Sequence, residues 1–211
     1  MERKNGRIRY RTVAGLVPEF GGIVVGATES MTGFLNSIYN SNVGSVVGGS
    51  YNSMTSSNAS SIIGGVYNIV SCSPGSSIIG GQCNIINCGS YVSSIIGGCC
   101  NRVCYYSDKS GIFAGGWNKL DNSDKSTVIG GNNNHICNSD RSGVMSGRAN
   151  CICDSSNYSS IVGGCGNDIC NESCLSSIIG GCDNRICDNS CQSVIIGGDC
   201  NEIINNNEGA V

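Results

Sequence analysis

The chain has 211 residues, of which 32 are glycine and 16 are cysteine, and only 13% are charged. This composition excludes a helix bundle, because glycine weakens a helix interior by about 1 kcal/mol per residue. The absence of a Gly-X-Y period excludes collagen, and the low charge with plentiful Ile and Val argues against disorder. The composition therefore indicates a β protein with many turns.

The first eleven residues form a basic arm, although the net charge of the chain is −3. Its basic residues are Arg3, Lys4, Arg7, Arg9 and Arg11. The rest of the chain carries an excess of Asp and Glu, so the charge is divided between a basic arm and an acidic body. A solvated tail and contact with nucleic acid or an anionic membrane are alternatives. We predict instead that the arm docks on the acidic body of a neighbouring copy, and nucleic-acid binding is not expected.

The segment after the arm does not have the features of a secretory signal. Its apolar run, residues 13–17, is interrupted by Pro18 before it reaches a useful length. Nowhere does the chain approach the roughly 18 apolar residues of a membrane span. We expect synthesis in the cytoplasm without a signal peptide, and no membrane span. The predicted organisation is a basic arm and entry segment (1–29), a repeat domain (30–204) and a C-terminal tail (205–211).

A Ser-Ser-Ile-Ile-Gly-Gly motif recurs through the repeat domain with a spacing of about 15–18 residues. The second glycine marks each repeat, and in most repeats an Asn follows three residues later. The markers are Gly33, Gly49, Gly65, Gly81, Gly98, Gly116, Gly131, Gly147, Gly164, Gly181 and Gly198. The repeat marked by Gly116 reads as one residue short, because its Asn118 follows after two residues.

A repeat of about 16 residues is too short for a helix pair, and it fits one coil of a parallel β-solenoid with two short strands. Glycine pairs supply tight corners, because positive φ carries no penalty without a Cβ atom. The recurring Asn is expected to stack on its equivalent in the next coil as a ladder. The predicted turn glycines are Gly48, Gly49, Gly64, Gly65, Gly80, Gly81, Gly97, Gly98, Gly163, Gly164, Gly180, Gly181, Gly197 and Gly198. The predicted fold class is all-β, with about eleven coils.

Paired apolar residues before the glycines form two columns along the solenoid. Adjacent strand residues point to opposite faces, so one column fills the interior and the other forms a long apolar stripe. The clearest members are Ile62, Ile63, Ile78, Ile79, Ile95, Ile96, Ile178, Ile179, Ile195 and Ile196. In the repeat of Gly116 the columns read Phe113 and Ala114, and Phe113 and Trp117 are expected to fill the core. Such a stripe exceeds the few hundred Å² that a monomer exposes, which predicts a homo-oligomer.

The Ser-x-Ile-Gly-Gly-x-x-Asn pattern resembles the left-handed parallel β-roll repeats of YadA-like trimeric adhesin heads, over about Ser30 to Glu202. The resemblance implies a parallel homotrimer in which one Ile/Val column faces the threefold axis or the neighbouring rolls. Unlike bacterial adhesins, this sequence shows no export signal and no coiled-coil stalk. Its many cysteines and its Asn/Ile-rich repeats are similar to repeat proteins of large DNA viruses, which favours a virion over a bacterial surface.

The cysteines recur in columns of the repeat, and six couples are one coil apart. Stacked Cα atoms would be about 4.8 Å apart, inside the disulfide range of roughly 4.4–6.8 Å. The couples are Cys72 with Cys88, Cys83 with Cys100, Cys137 with Cys153, Cys165 with Cys182, Cys170 with Cys187, and Cys174 with Cys191. Bridges within a coil, bridges between protomers and reduced thiols are alternatives. Zinc held by Cys165, Cys170, Cys174 and their counterparts is a further alternative, although no His joins them.

Residues for ordinary catalysis are scarce. The sole histidine, His135, has no partner acid fixed by the sequence and is expected on a surface loop. The glycine pairs lack the Gly-Lys-Ser/Thr of a phosphate-binding loop. We therefore predict a non-enzymatic protein without cofactor, metal or small-molecule substrate.

The leading functional hypothesis is a self-assembling structural protein of a virion outer layer, fibre or spike, with itself and other virion proteins as partners. An adhesin-like binding module on a virion or cell surface is the alternative hypothesis. Its ligand-binding face would lie where the loops lengthen, around residues 104–111. A third hypothesis is a thiol-using enzyme or metal-storage protein.

Overall fold

The computed structural model describes residues 2–4, 7–9, 23–25 and 30–206. These residues form an all-β chain without helix, and its main body is a parallel β-solenoid of about ten turns. Each full coil contributes one short strand to each of two parallel sheets. The predicted parallel β-solenoid is thereby confirmed.

The strand after each Ser-x-x-Ser segment belongs to sheet I, and the strand after each recurring Asn belongs to sheet II. Sheet I contains β4 Ser30–Met31, β6 Ser45–Val47, β8 Ser61–Ile63, β10 Ser77–Ile79, β12 Ser94–Ile96, β14 Gly111–Phe113, β16 Thr127–Ile129, β18 Gly143–Met145, β20 Ser160–Val162, β22 Ser177–Ile179 and β24 Val194–Ile196. Sheet II contains β3 Ile23–Val25, β5 Ser37–Tyr39, β7 Ser53–Thr55, β9 Ile69–Ser71, β11 Ile85–Ile86, β13 Arg102–Cys104, β15 Lys119–Asp121, β17 His135–Cys137, β19 Cys151–Ile152, β21 Asp168–Ile169, β23 Arg185–Cys187 and β25 Glu202–Ile204.

The basic arm contributes a separate antiparallel pair, β1 Glu2–Lys4 with β2 Arg7–Arg9. Arg3, Lys4, Arg7 and Arg9 therefore lie on strands, and Arg11 lies outside the described residues. Strand β3, within the predicted entry segment, pairs in parallel with β5 and extends sheet II.

The interior contains one apolar side chain from each strand of the coil. Sheet I contributes the first residue of each Ile pair, such as Ile62, Ile78 and Ile95, and these stack in register on adjacent strands. Sheet II contributes the apolar residue that follows its first strand position, such as Val70 and Ile86. Every residue of this core cluster is at most 4% exposed. The core is thus a narrow apolar column that each added coil extends.

A buried Asn ladder holds one corner of the solenoid. Asn84 is fully buried, and its Oδ1 accepts the main-chain N–H of Asn101 in the next coil at 3.0 Å. Its Nδ2 donates to the carbonyl oxygens of Gly80 at 3.4 Å and Gly98 at 3.2 Å. The expectation of amide stacked on amide is therefore corrected for most coils. The side chain bonds main-chain groups, because the corner leaves those N–H and C=O groups inside the protein, where they need partners.

Removing one rung of this ladder is expected to destabilise the fold. Asn134→Ala leaves the buried N–H of Asn150 without its acceptor and removes donors to Gly130 and Gly147. The expected loss in the free energy of unfolding is about 2–3 kcal/mol, because unsatisfied buried polar groups cost about 1–3 kcal/mol each. Urea denaturation measures it. Asn132→Ala, at an exposed position of the same coil, is the control, and an equal effect of both substitutions would contradict the ladder's role.

Two serine ladders hold the opposite corner. They are formed by the two serines of each Ser-x-x-Ser segment, and the first of these serines was not predicted from the repeat. The Oγ of Ser76 accepts the N–H of Ser93 at 3.0 Å and donates to the carbonyl oxygen of Ser90 at 2.9 Å. The Oγ of Ser73 accepts the N–H of Ser90 at 3.2 Å. The signal was a constant Ser-x-x-Ser in nearly every coil. Extra residues enter only between the recurring Asn and this segment, so the ladders stay in register.

The repeat marked by Gly116 is corrected by the register of sheet I. Ile95 pairs with Ile112, and Ile96 pairs with Phe113, so Ile112 rather than Phe113 occupies the core column. Phe113 is 41% exposed and Trp117 is 63% exposed, so the expectation that they fill the core is wrong. The true corner glycine is Gly115, because its position corresponds to that of Gly98 and Gly131 beside the Asn ladder. That coil is not short.

Candidate functional site

The outer face of sheet I carries a continuous apolar stripe. We define it as the third residue of each sheet I strand from β6 to β24. Its exposed members retain between 40% and 73% of their accessible surface. They are Val47, Ile63, Ile79, Ile96, Phe113, Ile129, Met145, Ile179 and Ile196. Val162, in β20, is half-buried. The second column of the sequence therefore lies outside the coil, and its partners Ile62, Ile78, Ile95, Ile178 and Ile195 lie inside it.

Small residues flank the stripe on both sides. One row is the first residue of each sheet I strand, which is Ser, Gly or Thr in β6 to β22. The other row is the first glycine of each pair, and a Cβ atom built on Gly64, Gly80 or Gly97 would meet no atom within 4 Å. The stripe is therefore a ridge between two shallow rows, a shape that lets a second apolar surface approach closely.

The two glycines of each pair have different roles. All the predicted turn glycines, Gly48, Gly49, Gly64, Gly65, Gly80, Gly81, Gly97, Gly98, Gly163, Gly164, Gly180, Gly181, Gly197 and Gly198, have φ between +69° and +86°. The first glycine faces open space. A Cβ atom on the second, such as Gly81, would lie 2.4 Å from the carbonyl oxygen of Gly98 in the next coil. Close stacking of the coils therefore depends on the second glycine.

One of the six predicted cysteine couples is a disulfide in this structure. Cys170 and Cys187 are bonded, with their Cα atoms 4.8 Å apart. Cys170 directly follows β21 and Cys187 ends β23, so the bond joins consecutive coils. The prediction that a couple one coil apart can be bridged is confirmed at this position.

The structure differs from the prediction at the other five couples, because all ten of their cysteines are free thiols. These cysteines are Cys72 and Cys88, Cys83 and Cys100, Cys137 and Cys153, Cys165 and Cys182, and Cys174 and Cys191. Bridges between them are not formed in this structure and stay predictions for an oxidised form of the chain.

Two of these couples show what the free thiols do instead. The thiol of Cys174 donates to the carbonyl oxygen of Ser155, and the thiol of Cys191 donates to that of Glu172, both at 3.1 Å. The sulfur of Cys191 also accepts the main-chain N–H of Cys174 at 3.3 Å, so both sulfurs take part in hydrogen bonds with the main chain. Cys72 and Cys88 are both exposed, and the hydroxyl of Ser71 donates to the sulfur of Cys72 at 3.8 Å. Stacking one coil apart brings two Cα atoms close, but it does not by itself turn the side chains together.

The number of reactive thiols distinguishes these states. Of 16 cysteines, 14 are free in the structure, so labelling of the denatured, unreduced protein is expected to modify fourteen. Formation of all six predicted bridges would leave four reactive thiols. Mass spectrometry of the labelled chain gives the number, and a fully reduced sample is the control. Sixteen reactive thiols in the unreduced protein would contradict any disulfide.

The outer face of sheet II carries a row of thiols and titratable groups. Cys137, Cys153, Cys170 and Cys187 are aligned in four consecutive coils by the strand register. His135 lies on strand β17 in this row and is half-buried, so its expected place on a surface loop is wrong. Burial lowers the pKa of His135, which favours the neutral imidazole.

Three thiols and an imidazole meet at strands β17 and β19. Hydrogen bonds from the Cys151 and Cys153 thiols lower the pKa of Cys137, and the same hydrogen bonds with Cys137 raise the pKa values of Cys151 and Cys153. The three side chains thus lie within hydrogen-bond reach of one another. A ring nitrogen of His135 lies within 4.8 Å of the sulfurs of Cys137 and Cys151. This cluster was not predicted, because Cys151 shares its column of the repeat with no other cysteine and the predicted couples join cysteines of the same column.

An acidic groove of about 870 Å³ runs along the loops that follow sheet II. Its lining includes Asp124, Asp140, Asp154, Glu172 and Asp188. These are all of its charged lining residues, and they come from successive coils, so the groove presents a continuous negative surface. Five acidic side chains of the body thereby lie together at one corner of the solenoid.

No known family model matches this chain, and no curated protein has a significantly similar sequence. The resemblance to YadA-like heads and to viral repeat proteins therefore rests on the repeat motif and composition alone. Within the described residues, no helix is long and apolar enough to cross a membrane.

Proposed function

We propose that this chain is a non-enzymatic, self-assembling structural protein that buries the apolar stripe of sheet I against other copies of itself. The observation that supports this proposal is the continuity of the stripe, which is exposed in nearly every coil from Val47 to Ile196. At about 4.8 Å per coil the stripe is roughly 45 Å long. A patch of this length exceeds what soluble monomers expose, and burial against a partner removes it from water.

The proposed occupant of the stripe is a second copy of this chain. A partner must present apolar side chains with the same coil-to-coil spacing along the whole stripe. A second copy has this spacing because it is built from the same repeats. The small residues beside the ridge allow close approach of another sheet. The resemblance to YadA-like heads favours three copies about one axis, in a parallel arrangement of left-handed rolls.

Two further features support assembly. The acidic groove offers a complementary surface for the basic arm of a neighbouring copy, whose residues Arg3, Lys4, Arg7 and Arg9 lie on the β1–β2 pair. Disulfides between coils, as at Cys170 and Cys187, would hold the rod together once it has formed. We place the assembly in a virion outer layer, fibre or spike, next to other virion proteins. This placement rests on the similarity to repeat proteins of large DNA viruses.

Sedimentation velocity of the full-length chain tests the proposal. The expected result is a species of three times the 21.8 kDa chain mass that persists on dilution. Removal of the basic arm, residues 1–11, is expected to weaken association beyond this species and to make that association less dependent on salt. The species itself is expected to remain intact, because the stripe that holds it together is apolar. A stable monomer at every concentration would contradict self-assembly, and a stable dimer would contradict the threefold arrangement alone.

A further inference from the structure

We propose that His135, Cys137, Cys151 and Cys153 form a binding site for a divalent metal ion of zinc type, which joins strands β17 and β19. The site lies on the outer face of sheet II, away from the apolar stripe. It does not depend on the proposed self-assembly, and it can be tested on any oligomeric form of the chain.

The strand register brings the four side chains together. His135 and Cys137 are alternate residues of β17, so both point to the outer face of sheet II. Cys151 is the register partner of His135 on β19, and the continuing register sets Cys153 beside Cys137. Two adjacent strands thus present four nitrogen and sulfur donors at the corners of one small rectangle. Imidazole and thiolate are the ligands that structural zinc prefers.

The donor atoms form two overlapping groups of three. The ligand atoms of His135, Cys137 and Cys151 all lie within 4.8 Å of one another, as do those of Cys151, Cys153 and Asp168. Sulfurs bound to one tetrahedral zinc ion are about 3.8 Å apart, given Zn–S bonds of about 2.3 Å. Each group is therefore within about 1 Å of the sulfur separations of a tetrahedral site. Cys151 belongs to both groups and is the central ligand.

Two buried polar atoms at the ends of the cluster have no hydrogen-bond partner within the described residues. They are Nε2 of His135 and Oδ1 of Asp168. Such atoms are rare in native proteins and often mark a bound water or ion. Imidazole nitrogen, cysteine sulfur and carboxylate oxygen are all donors that bind a zinc ion, so one cation in the cluster would give these atoms a partner. Asp168 would then act as a fifth donor or as a neighbour that orients the site.

The neighbouring coils show why this cluster differs from a disulfide. Cys170 and Cys187 have the same relation between coils as Cys137 and Cys153, and they are bonded to each other. At β17 and β19 a third thiol and an imidazole join the couple, whereas on β23 Arg185 occupies the place that His135 has on β17. A disulfide between Cys137 and Cys153 would not use the Cys151 thiol or the His135 imidazole, whereas a metal ion would bind all four side chains. The donor set thus favours a metal ion.

Titration of the full-length chain with Co²⁺, under anaerobic conditions that keep free thiols reduced, tests the site. Tetrahedral cobalt bound to thiolates has visible absorption bands, and Zn²⁺ is expected to displace it. The expected result is one tightly bound Co²⁺ per chain. Cys151→Ser and His135→Asn are expected to weaken binding by more than about tenfold, since loss of outer-shell partners alone costs 10–100-fold.

Cys99→Ser and Cys100→Ser are the matched controls, because the sulfurs of these residues are 3.3 Å apart in a thiol cluster that includes no imidazole. They are expected to leave cobalt binding unchanged. Absence of tetrahedral cobalt in the parent chain would overturn the proposal, as would binding that survives Cys151→Ser and His135→Asn. A disulfide between Cys137 and Cys153 in the chain as purified, found by peptide mapping without reduction, would also overturn it and would confirm the predicted couple instead.

Discussion

Replacement of Ile79 and Ile96 by lysine is expected to convert the proposed assembly into a folded monomer. Both side chains point away from the coil and are 43% and 40% exposed, so lysine can extend into water in a single chain. Surface substitutions of this kind usually change stability by less than about 0.5 kcal/mol. In a self-associated stripe the same lysines would be unpaired charges taken out of water, at a cost of several kcal/mol per ion.

The matched control is Ile69→Lys. Ile69 lies on the outer face of sheet II and is 36% exposed, so it tests the same chemical change on the other face. We expect this variant to sediment like the parent protein. Circular dichroism and urea denaturation of all variants separate loss of assembly from loss of fold. An assembly that survives the double substitution but dissociates with Ile69→Lys would show that the interface lies on sheet II.

Gly81→Ala is expected to destabilise the solenoid far more than Gly80→Ala. A methyl group on Gly81 would lie 2.4 Å from the carbonyl oxygen of Gly98 and 2.4 Å from Nδ2 of Asn84. That carbonyl also accepts the N–H of Gln82 at 2.9 Å, so the coil-to-coil hydrogen bond and the Asn ladder would both have to move. With the penalty of φ at +83°, the expected loss is about 3–5 kcal/mol.

At Gly80 only the backbone penalty applies. Its φ is +70°, and an added Cβ atom meets no neighbour within 4 Å, so the expected loss is about 1 kcal/mol. The corresponding position already holds Ala114 and Ser146 in other coils, at φ of 60° and 65°. Urea denaturation of the two variants gives the comparison. Equal destabilisation by Gly80→Ala and Gly81→Ala would show that conformational strain, not the close approach of coils, determines the need for glycine.

Most of the architecture could be predicted because the repeat encodes each coil separately. The glycine pairs, the recurring Asn and the Ile pairs each have a local physical reason, and every coil repeats them. The marker glycine was misassigned at Gly115–Gly116, because two adjacent glycines allow two alignments of the repeat that differ by one residue. Only the pairing of Ile112 with Ile95 resolves it. The first serine of each Ser-x-x-Ser segment was missed because the repeats were aligned on the glycines.

The candidate sites could be predicted only in part. The apolar stripe could be predicted from the alternation of side chains along a strand. The acidic groove could be recognised only from the structure, in which the loops of successive coils lie on top of one another. Recognition of the cluster of His135, Cys137, Cys151 and Cys153 required knowledge of which residues of each short strand face outward. A shift of one residue would turn these side chains inward. A comparison of cysteine columns alone could not join Cys151 to a histidine.

The cysteine couples show the same limit. Column spacing placed Cys174 and Cys191 one coil apart as it placed Cys170 and Cys187, yet only the second couple is bonded. The thiols of Cys174 and Cys191 instead donate to main-chain carbonyl oxygens of the loops. A repeat period specifies which residues stack, and the local loop conformation specifies whether two sulfurs meet.

The sequence by itself determined that this chain, rich in glycine and cysteine, stacks short coils into a parallel β-solenoid. A repeat of this length, with β-branched pairs and glycine corners, has no better way to bury its apolar side chains. Only the tertiary structure decided which residue of each Ile pair is inside, and which cysteines and histidine become neighbours. The physical reason is that contacts between coils depend on the stacking register, and a single residue in a loop changes which side chains meet.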